Sequence, residues 1–288
     1  MTSSTTDRVA RPIEVSDATP DKGRIGGRFV QRLVGAYKRR ERIVLGAVGV
    51  AAVLGMWELA AELGWAKKSF SSSPSLVWHS MKDYFGPGGT GWSDIGASSQ
   101  EFALGFAISV AIGVPLGILM GWYPRLDALV NPLVIFLNSS PRIAIAPLFV
   151  IWFGIGFQSK LWVVVLSAVV PVIVNARAGV VTIEPSLIAM SRSYGSSDLR
   201  VLRTVVLPGS IPAISSGLRL GIGAAWLGVV LAEFIASTKG LGFVVVTSAN
   251  NFATDRLFVA VVVISALGMV ATALLTQVER YFDRWRTS

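Results

Sequence analysis

Cysteine is absent from the sequence, and histidine occurs only once, at His79. Without cysteine the chain can form no disulfide, no thiolate metal site and no cysteine nucleophile. One histidine cannot build a histidine-based metal cluster or a histidine pair. His79 lies in a polar stretch beside Trp78 and Lys82, which is typical of a surface imidazole. We therefore expect neither a metal site nor a catalytic residue of these types.

Charge is also scarce, because only 15% of the 288 residues are charged whereas 52% are apolar, and the mean hydropathy is +0.61. A soluble domain carries about 25% charged residues. This composition excludes a disordered chain and favours a polytopic membrane protein in a lipid bilayer. In such a chain the net charge of +9 marks cytoplasmic loops, so we expect no nucleic-acid partner.

Six apolar runs are long enough to cross a hydrocarbon core, which needs about 20 helical residues. The runs are 43–63, 102–122, 127–153, 161–181, 211–234 and 257–278. Backbone polar groups in lipid must be hydrogen-bonded internally, and these runs lack the alternation of barrel strands. The sequence therefore predicts an all-α membrane domain over 43–280, with a basic, disordered tail over 1–42 and a short tail over 281–288.

Six spans place both termini on one side of the membrane, and the distribution of Lys and Arg indicates which side. With the termini inside, eighteen of the 26 Lys and Arg lie in inner segments and six in outer segments. The positive-inside rule then predicts cytoplasmic termini, although the count without the tail is only eight to six. An alternative for part of the tail is an amphipathic surface helix over 29–37.

The third run is interrupted near its middle. The residues from Asn138 to Arg142 read Asn-Ser-Ser-Pro-Arg, and Pro147 follows. Prolines remove backbone donors, and broken backbone at membrane depth is tolerated only inside protein or beside a water-filled cavity. Two interpretations of Arg142 stay open. It either lines a translocation path or pins the broken helix through backbone carbonyls.

Small residues recur at helical spacing on two runs. They are Gly113, Gly117 and Gly121 on the second run, and Gly217 and Gly221 on the fifth. Such spacing lets membrane helices approach closely, either within the chain, around a translocation path or against a second subunit. The fifth run also carries Arg219 and Glu233, which are about four turns apart on one face. We expect each to pair with another segment or to line a path.

The segment 182–210 between the fourth and fifth runs, called the loop segment below, has the composition of two short helices. Gly195 is a natural stop for the first helix, over 186–194. Ser196 or Ser197 can cap a second helix, with Asp198 in its first turn. Apolar residues recur at helical spacing at Leu199, Leu202 and Val206. We expect Pro208 to end that helix, so the segment predicts a compact cytoplasmic projection, with an ordinary interfacial loop as the alternative.

The loop segment resembles the coupling loop of ABC importer permeases, whose pattern is Glu-Ala-Ala, three residues, Gly, nine residues, Ile, one residue, Leu-Pro. With Gly195 aligned, Val205 takes the Ile position and Leu207-Pro208 the end, whereas Ala189-Met190-Ser191 replaces the opening. The nitrate/sulfonate/taurine branch, in which that replacement is frequent, is similar over about 43–280. Further matching segments are Ser73-Pro74-Ser75, Gly113-Val-Pro115-Leu-Gly117, Pro141-Arg-Ile-Ala-Ile-Ala-Pro147-Leu, Ile151-Trp-Phe-Gly-Ile-Gly156, Gly217-Leu-Arg219 and Ala232-Glu233.

The resemblance implies a type I ABC importer permease fold in the bacterial inner membrane. It implies a permease homodimer, separate cytoplasmic ABC ATPase subunits that use ATP and Mg²⁺, and an extracytoplasmic solute-binding protein. This chain would bind no cofactor, and it has no Gly-x-x-x-x-Gly-Lys-Ser/Thr phosphate loop. The implied solute is a small anion such as an alkanesulfonate, taurine or nitrate, which Arg142 and Arg219 would suit.

The resemblance also implies roles within the loop segment. Gly195 would set the turn, and Pro208 would orient the start of the fifth run. The polar contacts with the ATPase would be Ser196, Ser197, Asp198, Arg200 and Arg203. Leu199 and Leu202 would bury against the ATPase or the permease base. The competing functions are an ion-driven secondary transporter, with Glu233 as the candidate proton site, and a membrane scaffold without transport.

Overall fold

A computed structural model describes residues 23–64 and 72–283 of the chain. Within these ranges the backbone forms helices and turns, and no β-strand occurs. The chain divides into two compact units, 1–56 and 57–288. The described part of the first unit is residues 23–56, which form most of α1, and all packing reported below lies within the second unit.

The helices are numbered in chain order. They are α1 (Gly23–Glu62), α2 (Pro74–Phe85), α3 (Gly91–Trp122), α4 (Pro124–Ser139), α5 (Arg142–Phe153), α6 (Phe157–Val181), α7 (Pro185–Ser193), α8 (Asp198–Val201), α9 (Leu207–Ala236), α10 (Leu241–Asn250) and α11 (Thr254–Asp283). A π-helical turn, Leu202–Val206, joins α8 to α9.

Five stretches are long and apolar enough to cross a membrane, and a sixth crossing is possible where α4 and α5 form a bent pair. The five are Val44–Glu62, Gly91–Trp122, Phe157–Val181, Asp198–Ala236 and Thr254–Arg280. The axes of α4 and α5 differ by 103°, with the bend at the interruption of the third run. All six predicted runs therefore coincide with helices, which confirms the all-α polytopic fold.

The core of the second unit is α6, which is packed between α3 and α9. A Cβ atom placed on Gly105 would lie 2.5 Å from Val164, and one on Gly121 would lie 2.5 Å from Val180. Because the residue numbers of the facing residues rise together along both helices, α3 and α6 run in the same direction. Glycine at these positions allows the close approach.

Glycines also bring α9 against α6, but in the opposite direction. A Cβ on Gly217 would lie 2.6 Å from Asn175, and one on Gly228 would lie 2.8 Å from Ser167. As the residue numbers rise along α9, those of the facing residues on α6 fall, so the two helices are antiparallel. The bundle therefore has a loop end, where the loop segment lies, and an opposite end, where α6 begins and α9 finishes.

The direction of these helices decides how the bent pair runs. Trp122, the last residue of α3, lies beside Arg192 at the loop end. The first residue of α6, Phe157, lines a cavity with Ala236 at the opposite end. The chain must travel from one end to the other between these points. The α4–α5 pair is therefore one broken span and not a re-entrant loop.

Two helices at the opposite end fall in segments that the sequence assigns to loops. Leu241 and Val244 of α10 pack with Val77 and Tyr84 of α2, and with Val259 at the start of α11. Both helices are short, with 12 residues in α2 and 10 in α10, and neither reaches the length of a span. They form an outer layer over the ends of α3 and α9.

Two expectations from the sequence are wrong. Residues 23–42 were assigned to the disordered tail, but they form the first half of α1, because this stretch has no proline and many good helix formers. The alternative helix over 29–37 lies within α1. Residues 1–22 and 284–288 of the two tails lie outside the described residues.

Pro208 does not end a helix, which is the second error. The helix continues through it to Ala236. The proline ring would clash with the carbonyl of residue 204 in a regular α-helix. The π-helical turn just before it widens the backbone there, and Leu207 N–H bonds to the Leu202 carbonyl. The proline is thereby accommodated.

Candidate functional site

The loop segment consists of two helical pieces joined at Gly195, which has a φ of +75°. The Gly195 N–H donates to the Arg192 carbonyl at 2.9 Å, and the Ser196 N–H donates to the Ser191 carbonyl at 3.3 Å. This pair of bonds is the Schellman arrangement that ends helices at a left-handed residue. Gly195 therefore satisfies the last carbonyls of α7 and turns the chain towards α8.

The turn exposes one face of the loop segment. Tyr194 is 84% exposed and Leu199 is 56% exposed, and Leu187 and Met190 of α7 are exposed as well. Exposed apolar side chains clustered at the end of a helix bundle are typical of a protein-binding surface. Two cations, Arg200 and Arg203, are exposed beside them.

The other face of the loop segment packs on the base of the bundle. Val201 and Val206 are fully buried with Ile118 and Val180, and Leu202 packs against the same cluster. Leu199 and Leu202 therefore differ, because the first faces outwards and the second faces the bundle. Leu207 is half-buried and Pro208 is exposed. The loop segment is thus anchored to α3 and α6 while it presents its outer face.

A salt bridge spans the turn. Arg192 Nη2 lies 3.0 Å from Asp198 Oδ1, and the Arg192 guanidinium lies 5.9 Å from the centre of the Trp122 ring. These contacts link α7, α8 and the end of α3. Ser197 holds the N-cap position of α8 through its backbone, but its side chain makes no capping hydrogen bond.

The break in the third span carries polar side chains. Asn138 is exposed near the end of α4, and Arg142 is partly exposed at the start of α5. Arg142 forms no hydrogen bond or ion pair with any residue that the structure describes. Among those residues no backbone carbonyl binds the Arg142 side chain, and the role of Arg142 stays a prediction. A cation at this depth needs an anion or a water-filled space.

The structure does not bring the four expected path residues together. Arg219 forms a salt bridge with Glu279 of α11. Glu233 lies at the opposite end, 1% exposed, where its Oε1 accepts a hydrogen bond from Ser98 Oγ at 2.7 Å. Asn138 and Arg142 are at the bend between α4 and α5. The four candidate path residues therefore lie at separate positions along the bundle.

Several buried polar groups at the opposite end were not predicted from the sequence. Glu101 and Lys160 form a buried salt bridge between α3 and α6. Asp94 accepts a hydrogen bond from the Tyr84 hydroxyl at 2.8 Å. Burial and this hydrogen bond raise the pKa of Tyr84, so its hydroxyl stays a donor. The only available signal was Glu101 at the edge of the second run.

The glycines expected to pack helices lie at the contacts of α6. A Cβ on Gly117 would lie 2.6 Å from the Ile173 carbonyl, and one on Gly221 would lie 2.9 Å from Val172. Gly113 likewise faces Val172 of α6. All these contacts lie within one chain.

Comparison with known proteins agrees with this architecture. The family described as "binding-protein-dependent transport system inner membrane component" matches residues 113–287. The taurine transport system permease protein TauC of Escherichia coli is 33% identical over 259 residues, which cover 88% of this chain and 94% of that protein. SsuC of Escherichia coli, a permease assigned to aliphatic sulfonates transport, is 33% identical over 83% of this chain and 89% of that protein.

Solved structures share the fold. A chain of the inward-facing MetNI methionine ABC transporter superposes with a TM-score of 0.55 at 18% identity, covering 73% of this chain and 99% of that chain. At this identity the likeness concerns the fold alone. The family match and the relatives at 33% identity have a wider meaning: this multi-pass membrane protein belongs to the family of binding-protein-dependent transport system inner membrane components.

Proposed function

We propose that this chain is the permease subunit of an ATP-driven importer that takes up a small organosulfonate-like anion. ATP and Mg²⁺ are bound by separate cytoplasmic ATPase subunits, and an extracytoplasmic binding protein delivers the solute. Two permease copies form the translocation path. The single observation that carries this proposal is the loop segment, anchored on one face and exposed on the other.

The geometry of the loop segment suits a lever between two proteins. Its exposed apolar face, with Leu199 and Tyr194 outermost, fits a groove on a soluble partner. Its buried face, with Val201 and Val206, is continuous with α9 through the π-helical turn. A force applied to the exposed face is therefore transmitted into a helix that crosses the membrane. Ser196, Ser197, Asp198, Arg200 and Arg203 would supply the polar contacts at its rim.

The orientation follows from the same assignment. If the loop segment contacts a cytoplasmic ATPase, the loop end is cytoplasmic and the opposite end is extracytoplasmic. α11 finishes at the loop end, where Glu279 pairs with Arg219, so the C-terminus is cytoplasmic. The excess of Lys and Arg in the inner segments supports the same orientation.

The solute is inferred from charge and from the relatives. Arg142 is a cation at the bend of a broken span, without a partner among the described residues. An anion passing this point, or a group from a second copy of the chain, would supply the missing charge. TauC and SsuC are assigned to taurine and aliphatic sulfonates. A sulfonate carries one negative charge, which would pair with the guanidinium of Arg142. Asn138 would be a neighbouring hydrogen-bond donor.

Copurification tests the proposal. The tagged chain is extracted from native membranes in a mild detergent, and ATPase activity and subunit content are measured. We expect a stoichiometric ATPase that is lost in Leu199→Asp and retained in Leu76→Asp, which alters an equally exposed leucine at the opposite end. If no ATPase copurifies and the chain alone moves solute along an ion gradient, the protein is a secondary transporter instead.

A further inference from the structure

Three consecutive backbone amides at the start of α10 are each bound by a side chain. The Gly240 N–H donates to Asp94 Oδ1 at 2.9 Å, and the Leu241 N–H donates to Ser98 Oγ at 2.9 Å. The Gly242 N–H donates to Glu233 Oε2 at 2.5 Å. These amides have no partner inside the helix, so the three acceptors replace a local cap.

None of the acceptors belongs to α10. Asp94 and Ser98 lie on α3, more than 140 positions before their partners, and Glu233 lies on α9. The N-cap residue of α10 is Gly240, which has no side chain of its own to bond these amides. A helix whose capping residue lies next to it in the chain keeps its capping hydrogen bonds when the helix moves. α10 instead leaves all three acceptors behind if it moves away from α3 and α9.

The carboxylates also depend on α10. Glu233 is 1% exposed and Asp94 is 4% exposed. Neither forms an ion pair with a Lys or Arg in the part of the chain that the structure describes. Glu233 is held by the Ser98 hydroxyl and the Gly242 amide, and Asp94 by the Tyr84 hydroxyl and the Gly240 amide. The positive end of the α10 dipole thus faces two buried carboxyl groups.

The glycines of α10 are required for this arrangement. Gly240 has a φ of +117°, and a Cβ there would lie 2.0 Å from Glu233 Oε1. A Cβ on Gly242 would lie 2.9 Å from Glu233 Oε2. The carboxylate therefore sits directly against the backbone, where only glycine leaves room for it.

The surroundings of α10 leave space for it to move. A cavity of about 420 Å³ lies on one side of the Thr238–Lys239 segment, and one of about 360 Å³ lies on the other. Beyond this segment, Leu241 and Val244 pack with α2 and α11, and Ile95 of α3 packs against the same cluster. Besides the polar bonds, α10 approaches α9 closely at Gly242, where a Cβ would lie 3.0 Å from the Val230 carbonyl.

We propose that the bonds of Asp94, Ser98 and Glu233 to the α10 amides form a latch that holds α10 as a gate at the opposite end of the permease. Release of the three bonds together lets α10 move, joins the two cavities and opens the bundle to the outside. Glu233 is a positioning residue in this device. The inference rests on the proposed importer function for the direction of solute flow, but the latch itself does not require it.

Thiol labelling tests the latch directly, because the chain has no native cysteine. Val244→Cys places a thiol on the buried side of α10, and Val229→Cys places one in the core of α9 as a matched control. A membrane-impermeant maleimide is applied to the full chain in membrane vesicles. We expect slow labelling of both, and labelling of Val244→Cys about tenfold faster when Glu233→Gln or Ser98→Ala is added, since either change shifts the gate towards its open state. Val229→Cys stays unreactive throughout.

Two further readouts separate the latch from a structural role and from the proposed function. Glu58→Gln changes an exposed carboxylate at the same end, bonded to Ser75, and should leave Val244→Cys labelling unchanged. In the complete importer, the latch variants should hydrolyse ATP without binding protein while the ATPase remains bound. Equal Val244→Cys labelling in the wild-type and both variant backgrounds overturns the latch. Loss of the ATPase alone overturns the importer function and leaves the labelling result intact.

Discussion

Arg177 donates two parallel hydrogen bonds to Asp127, from Nε to Oδ1 at 2.5 Å and from Nη2 to Oδ2 at 2.7 Å. Asp127 lies in the first turn of α4, and Arg177 lies in the last turns of α6. The pair therefore fixes the start of the broken span against the central helix of the core. A guanidinium matches a carboxylate in this bidentate way, whereas an ammonium group cannot.

We expect this pair to make a measurable but modest contribution to stability. Both side chains are partly exposed, so solvent screening limits the coupling energy to about 0.5–1 kcal/mol. A double-mutant cycle with Asp127→Asn and Arg177→Gln, read by thermal unfolding in detergent, measures it. Arg177→Lys should behave like Arg177→Gln. Additive effects of the two single changes would show that the pair is not coupled.

The second prediction concerns the backbone of Gly195. No atom lies within 4 Å of a Cβ placed there, so any effect of substitution comes from the positive φ and not from a clash. Left-handed backbone costs about 1–2 kcal/mol for ordinary residues and less for asparagine. Gly195→Val should reduce binding-protein-stimulated ATP hydrolysis and uptake about tenfold, which corresponds to about 1.4 kcal/mol. Membrane insertion should be normal.

Gly195→Asn is the matched variant, because asparagine is larger than glycine yet tolerates the same φ. It should retain uptake within about fivefold of the wild type, since about 1 kcal/mol of strain or less remains. Equal losses in both variants would mean that side-chain volume at this position, and not backbone conformation, disturbs the contact with the ATPase.

The third prediction concerns helix packing in the core. A Cβ on Gly117 would lie 2.6 Å from the Ile173 carbonyl and 2.7 Å from the Ala176 Cβ. Gly117→Ala must push α3 away from α6, and such overpacking costs about 1–3 kcal/mol. Gly223→Ala on α9 is the control, because no atom lies within 4 Å of its Cβ. It should be neutral or raise stability by up to about 1 kcal/mol, the helix propensity gained over glycine.

Thermal unfolding of the two alanine variants in the same detergent distinguishes these effects. A similar melting temperature for Gly117→Ala and the wild type would mean that α3 and α6 are further apart than the structure has them. The comparison thereby tests the close approach of α3 and α6 in the core.

The six spans and the two helices of the loop segment could be predicted from the sequence because their signals are local. A span needs only an apolar run of sufficient length, and the turn at Gly195 is marked by glycine between two helix-forming stretches. The interruption at Pro141 also predicted a break in the third span. Its angle of 103° depends on packing against α6 and has no local signal.

The polar latch could not be predicted, because it depends on residues far apart in the chain. Ser98 and Glu233 are 135 positions apart, and their contact follows only from the packing of α3 and α9 on either side of α6. α10 has just 10 residues, so its apolar pattern is too short to separate a helix from a loop. Pro208 was misjudged because a π-helical turn accommodates a proline that a regular α-helix would not.

The last prediction concerns Arg142 at the bend of the broken span. Without a partner among the described residues, its charge is free to contact an anion in transit. Arg142→Gln should lower uptake of a sulfonate about tenfold, the loss of about 1.4 kcal/mol of charge interaction. The copurifying ATPase and its basal activity should be unchanged, because the loop segment lies at the end of the bundle.

The matched variants define what the charge does. Arg142→Lys keeps a cation and should retain most of the uptake, whereas Arg219→Gln removes a cation that Glu279 already neutralises and should affect the solute less. Uptake is measured in proteoliposomes with a radiolabelled alkanesulfonate and, in parallel, with a neutral analogue of similar size. A selective loss for the anion supports a role of Arg142 in the path. An equal loss for both solutes would instead assign Arg142 to the conformational change of the broken span, because a structural defect does not distinguish solute charge.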